Sequence, residues 1–174
     1  MSELKDISEL CMKLGEGIAQ SVLALHEGLE RCAVLVENSA KKEFGHLQPA
    51  VGPFQAWDEL TEYTKNEKDR LAANGQLAVA LNADYSPLQR TLTMQESISH
   101  EVNGLEAVIG STDQKMLYHE LGTVGMAPRP VLGPALYKNK KKIQLILAGA
   151  VVTGFFSPHG KQTDLTGDYN MEIK

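Results

Sequence analysis

Apolar residues recur at steps of three or four near the start of the chain: Ile7, Leu10, Leu14, Ile18, Val22 (or Ser21), Leu25, Leu29, Cys32 and Val36. That spacing is the stripe of one long amphipathic helix, and it predicts helix from about Ser8 to Lys42. Asp6 or Ser8 is the capping residue at its start. Two readings of the stripe stand side by side. It faces a core, or, because so long a helix outruns a small sheet, it forms a seam against a neighbouring subunit. Gly15, Gly17 and Gly28 each cost roughly 1 kcal/mol relative to alanine, so a bend or break is expected there.

A helix of this length needs something to pack on, and 174 residues suffice for one domain with a real core. Hydrophobic content of 43% and charged content of 22% are those of a soluble globular chain. Net charge of −5 argues against a chain built mainly to grip nucleic acid, although an acidic wall would let DNA slide past. Cys11 and Cys32, placed on one helix, are ~31 Å apart, beyond disulfide reach. They are expected to be free thiols in a reducing compartment. The opening MSELKDISEL shows no signal-peptide pattern, and the apolar run Leu145–Phe156 is shorter than the ~20 residues of a bilayer span. Assembly in the cytoplasm and no membrane partner are the expectation.

After the first helix, glycines and Pro49 spell a loop from Phe44 to Gly52. Phe54, Trp57, Leu60 or Thr61, and Thr64 then predict a second, shorter helix with Asp58, Glu62 and Lys65 outside. Trp57 reads as a core anchor or, alternatively, a ligand platform. Residues 43–86 form a loop-rich insertion around this helix. Within it Asn74-Gly75 marks a turn, and Leu77–Leu81 fits either a short helix or a strand. Leu88 to Gln95 predicts a helical turn. Ile98, His100 and Val102 then alternate with polar residues, Asn103-Gly104 follows, and Leu105–Ile109 resumes. An Asn-Gly pair between β-prone runs predicts a hairpin with a type I′ turn.

The next stretch, Tyr118 to Ala135, reads YHELGTVGMAPRPVLGPA. Tyr118–Leu121 fits a short strand or the last turn of a helix, and Gly122-Thr123 ends it. Pro128 and Pro130 bracket Arg129, which predicts a stiff, non-helical connector. A closing helix starts at Pro130 or Pro134 and runs from about Val131 to Ala148 or further, with Leu132, Leu136, Ile143, Leu147 and Ala150 on one face. Lys138, Lys140, Lys141 and Lys142 occupy its other faces. Gln162 to Lys174 is polar and turn-rich, and residues 157–174 read as a C-terminal arm that is either disordered alone or ordered on a neighbour. The fold class is α+β: a long N-terminal helix and a C-terminal helix packed on a small antiparallel β-sheet, in one domain over residues 1–156.

Tyr118, Glu120, Leu121, Gly122, Thr123, Pro128, Arg129, Pro130, Leu132, Pro134, Ala135 and Leu136 follow a pattern that resembles a family of tailed-bacteriophage morphogenesis proteins. These are described as minor tail, tail-completion or head–tail joining proteins. Pro87-Leu88, Arg90-Thr91, Ser97-Ile98 and Glu106–Ser111 are similar to the same family's central segment. The family often has glycine after the Arg-Thr pair, where this chain has Leu92. The resemblance covers about a third of the chain. It implies a structural virion component that forms a homo-oligomeric ring of six or twelve copies at the neck or tail end. The ring would be assembled in the host cytoplasm and joined to adjacent head–tail connector and tail proteins, and DNA would pass through it without specific binding. Pro128, Arg129 and Pro130 are then candidates for contact with a neighbouring subunit, with Arg129 alternatively capping its own loop. Lys138, Lys140, Lys141 and Lys142 are candidates for the acidic rim of a partner ring, for DNA phosphates, or for solvent alone.

Catalytic chemistry finds no foothold in the residues. There is no GxxxxGK[ST] or GxGxxG, no HExxH and no GxSxG, and the histidines at 26, 46, 100, 119 and 159 are scattered. No enzyme activity, cofactor or metal is expected. Two other classes remain open: a regulatory module outside the virion, and a nucleic-acid-binding accessory protein.

Overall fold

A computed structural model describes residues 7–156 of the chain. Its elements, in order, are α1 (Ile7–Lys42), α2 (Glu62–Ala73), α3 (Thr93–Glu96), β1 (Ile98–Asn103), β2 (Glu106–Ser111), α4 (Gln114–Leu121) and α5 (Leu132–Phe156). The architecture is α+β, with long N- and C-terminal helices and one two-stranded antiparallel sheet. The capping role read for Asp6 and the C-terminal arm at 157–174 lie outside the described residues.

The chain divides into two compact units. The first joins α1 up to Cys32, residues 102–107 at the hairpin tip, and α5 from Lys141. Its two helices run antiparallel and meet through small residues. A side chain added at Gly28 would stand 3.0 Å from Cβ of Ala150, and one at Gly154 only 2.5 Å from Cα of Ser21. The Ser21 hydroxyl donates to the Gly17 carbonyl at 2.8 Å within its own helix and lies 3.4 Å from the Val151 carbonyl across the seam. Gly17 and Gly28 therefore do not break α1, which is continuous over 36 residues. Both glycines are points of close helix approach. Of the stripe read as core-facing, Cys32 and Val36 are buried, but Ile7, Leu10, Leu14, Ile18 and Val22 are exposed. The small residues took the inner side, so the larger ones were left outside. Cys11 is exposed, Cys32 is buried, and both are free; burial pushes the Cys32 thiol above its ordinary value.

The second unit comprises residues 33–101 and 108–140. Its core includes Val36, Phe44, Trp57, Leu71, Ile98 and Val131, all buried. Trp57 is buried as an anchor, with its indole N–H donating to the Pro130 carbonyl at 3.2 Å. The segment from Phe54 to Leu60 is not helical. Val51 and Phe54 pair across a tight turn in which Gly52 has φ +55°, and the Trp57 amide donates to the Gln48 carbonyl. The second helix begins instead at Glu62, because Thr61 caps it by accepting the Thr64 amide at 3.3 Å. It is polar, buries Leu71, and carries pairs between Lys65 and Glu62 and between Arg70 and Glu67. Apolar spacing does not report a helix of that kind.

Leu77–Leu81 is neither helix nor strand. Asn82 organises the segment around it: its Oδ1 accepts the Asp84 and Ser86 amides, and its Nδ2 donates to the Gly45 carbonyl at 2.6 Å. Side-chain bonds to nearby backbone compete with regular structure in this way. The Asn74-Gly75 turn is present, with Gly75 at φ +65°. The hairpin is present too, but its two-residue loop is Gly104-Leu105 rather than Asn103-Gly104. Gly104 has φ +60° and Leu105 does not, which is the pattern of a type II′ turn rather than type I′.

Candidate interaction surface

Tyr118–Leu121 is the last turn of α4, and Gly122 stops it with φ +75°. A side chain at Gly122 would collide with the Met126 carbonyl at 2.9 Å and with Pro128 at 3.1 Å, so glycine is required on two counts. Thr123 and Met126 then exchange backbone hydrogen bonds of 2.9 and 3.1 Å. The Arg129 amide donates to the His119 carbonyl at 2.6 Å, closing the loop back on α4. The Glu120 carboxylate accepts the amides of Val131 at 2.8 Å and Leu132 at 2.7 Å. It thereby caps the first turn of α5 with a negative charge at the positive end of the helix dipole. α5 starts at Leu132, between the two prolines read as possible starts. Pro134 lies in its first turn, where a missing amide costs nothing. The connector from Gly122 to Val131 is thus tied at both ends.

Arg129 is half-buried. Its Nη2 donates to the carbonyl of Asp58 at 3.0 Å and lies 3.4 Å from that of Glu59. Burial lowers its proton affinity and Asp58 partly restores it. Burial, and then the adjacent Arg129 charge, hold the His119 imidazole below its ordinary value. The Arg129 guanidinium therefore caps a loop of its own chain. Pro128 stands exposed beside it, and Pro130 is partly buried with its carbonyl on Trp57.

The four lysines of α5 separate into two kinds. Lys138 Nζ reaches both carboxylate oxygens of Glu43 at 2.8 Å, and Gln48 Oε1 at 3.3 Å. Glu43 is 5% exposed, so Lys138 neutralises a buried charge. Lys140, Lys141 and Lys142 are exposed and make no ion pair among the described residues. The sequence did not distinguish them, because Glu43 is distant along the chain and lies in a segment read as loop.

A second feature was missed. Tyr85, Ser86, Leu88 and Leu92 all have positive φ, between 43° and 63°. Four such non-glycine residues within eight positions store backbone strain. Leu92 adopts the left-handed conformation immediately before α3. Lys68 braces this segment from α2, donating to the carbonyls of Ser86 at 2.9 Å and Gln89 at 2.7 Å. Burial lowers its ordinary affinity for a proton. Among the described residues no group of three or more His, Cys, Asp or Glu side chains is placed to hold a metal ion. Among the described residues no helix is long and apolar enough to cross a membrane. In comparisons with known proteins, no family model, no curated protein and no solved structure matches this chain.

Proposed function

We propose that this chain is a structural component of a tailed-phage particle, joining tail to head as a homo-oligomeric ring at the neck or tail end. The reading is supported by one observation above all. Among the residues on which the resemblance to morphogenesis proteins rests, Glu120, Thr123 and Arg129 tie the connector by hydrogen bonds, and Gly122 leaves no room for a side chain against Pro128. Such a connector is a stiff, preformed surface of the kind a docking contact needs, since little conformational freedom is lost on binding. In this reading Arg129 and Glu120 hold the loop from within. Exposed Pro128 and the Lys140–Lys142 face meet adjacent connector and tail proteins, and DNA passes through the ring without being read. No chemical step, cofactor or metal enters this role.

The test is a nonsense mutation early in the gene of the parent phage or prophage, with the lysate examined by electron microscopy. Filled heads beside unattached tails are expected. Normal infectious particles would reject the joining role and favour a regulatory module outside the virion.

A further inference from the structure

The seam between α1 and α5 is built from small residues, chiefly Gly17, Ser21, Gly28, Ala150 and Gly154. Large apolar side chains are consequently left outside it. Seven on α1, from Ile7 to Leu23, and five on α5, from Leu145 to Phe156, are each more than a third exposed. A monomeric soluble domain rarely exposes a contiguous apolar patch beyond a few hundred Å². From Ile143 to Phe156, moreover, α5 has no charged residue. A helix apolar all round is ordinarily covered on every side.

We propose that these surfaces cover each other between copies of this chain, in a head-to-tail contact. Exposed Ile18 and Val22 and partly buried Leu25 and Leu29 of α1 in one copy pack antiparallel on Leu145, Gly149, Val152 and Phe156 of α5 in the next. Three observations favour a second copy as the occupant. Both stripes step by four, three and four residues, the repeat of interlocking helices. Running antiparallel, they set Val22 against Val152, Ile18 against Phe156, Leu29 against Leu145, and Leu25 over Gly149, where a large side chain meets a gap. The stripes also lie on different surfaces. At ~3.6 residues per turn the α1 stripe starts about a quarter-turn from the seam, while the α5 stripe is on the side of α5 away from α1. A contact between unlike surfaces is heterologous, and repeated with closure it makes a ring. Charge points the same way. Ile7–Cys32 carries four carboxylates against two basic side chains, whereas Lys141–Phe156 carries two lysines and no carboxylate. This balance favours α1 against α5 over α1 against α1.

The inference deepens the ring reading by naming its surface, and rests on it only for the premise that copies associate. The full chain carrying Cys11→Ser is the background, with buried Cys32 retained. Val22→Cys and Val152→Cys proteins are oxidised separately and as an equal mixture, then resolved without reductant. Cross-linked dimer is expected only in the mixture, and a ladder of higher species in the double variant. In sedimentation, Val22→Lys should weaken association about tenfold or more, with helix content by circular dichroism unchanged. Cross-linking of Val22→Cys with itself would overturn the head-to-tail contact. An oligomer indifferent to Val22→Lys would overturn this interface and leave the ring standing. A chain that stays monomeric and instead sediments with phosphatidylcholine–phosphatidylglycerol vesicles would overturn self-association in favour of a lipid surface. A monomer that ignores vesicles would overturn it as well, while the nonsense mutant decides the virion role separately.

Discussion

Single residues set the stability of the connector unit, and they do so unequally. Lys138 is the counter-charge of buried Glu43, whereas Lys140 is exposed and unpaired among the described residues. Lys138→Met strands a carboxylate and should cost about 2–3 kcal/mol, toward the lower end for a buried pair because Lys138 itself is a third exposed. Lys140→Gln should move stability by less than about 0.5 kcal/mol. Urea denaturation of the two variants checks the contrast. Glu37 supplies a pH dependence. Its carboxylate is hydrogen-bonded by Lys41 and then by His100, and both lower its affinity for a proton below the ordinary value of 4.5. A group whose folded value is depressed stabilises the fold fully above its unfolded value. That contribution is lost as pH falls from about 4.5 through the folded value. Glu37→Gln should therefore lower stability at neutral pH and flatten the fall of stability below pH ~4.5, followed by thermal melts across the acid range.

Helices show where the sequence was legible and where it was not. The 3–4 stripe located α1 to within a residue, and β-alternation with Asn103-Gly104 located the hairpin. Both patterns record burial periodicity directly. Spacing reports that a face is apolar and not what covers it, so of the two readings of the stripe the core-facing one holds at Cys32 and Val36 and not from Ile7 to Val22. α2 escaped because charged i→i+3 pairs and the Thr61 cap hold it in place of an apolar face. The connector's ends were legible from Gly122 and the prolines. The Glu120 cap and the Arg129 bonds to Asp58 and Glu59 were not, since they depend on residues brought together only by the fold. Glycines divide in the same manner. Gly15 has nothing within 4 Å of an added side chain, while Gly154 meets the backbone of Ser21 at 2.5 Å. Gly15→Ala should stabilise by up to about 1 kcal/mol through helix propensity. Gly154→Ala should destabilise by more than about 1 kcal/mol despite the same propensity gain, because the helices must move apart. Thermal melts of both variants give opposite signs if the close seam is real.

At the scale of the whole molecule, two observations set the behaviour of the chain. The connector is prefixed by Glu120 and Arg129, and the α1–α5 unit leaves large apolar side chains uncovered. In the proposed reading, the tied connector is a docking surface and the uncovered apolar side chains are covered by a neighbouring copy. The three lysines left exposed on α5 provide a further discrimination. If they face a protein rim, replacing Lys140, Lys141 and Lys142 by glutamine leaves duplex-DNA affinity unchanged at low salt, where a phosphate-binding face would lose most of it. Gel-shift titration at low and moderate salt reads this. The central claim is that the chain resides in the particle, and quantitative mass spectrometry of density-banded virions from the parent phage or prophage tests it most directly. The chain is expected at a fixed, low copy number relative to the major head protein, unchanged by further purification. Its absence from infectious particles, with the protein abundant in the lysate, would contradict the account.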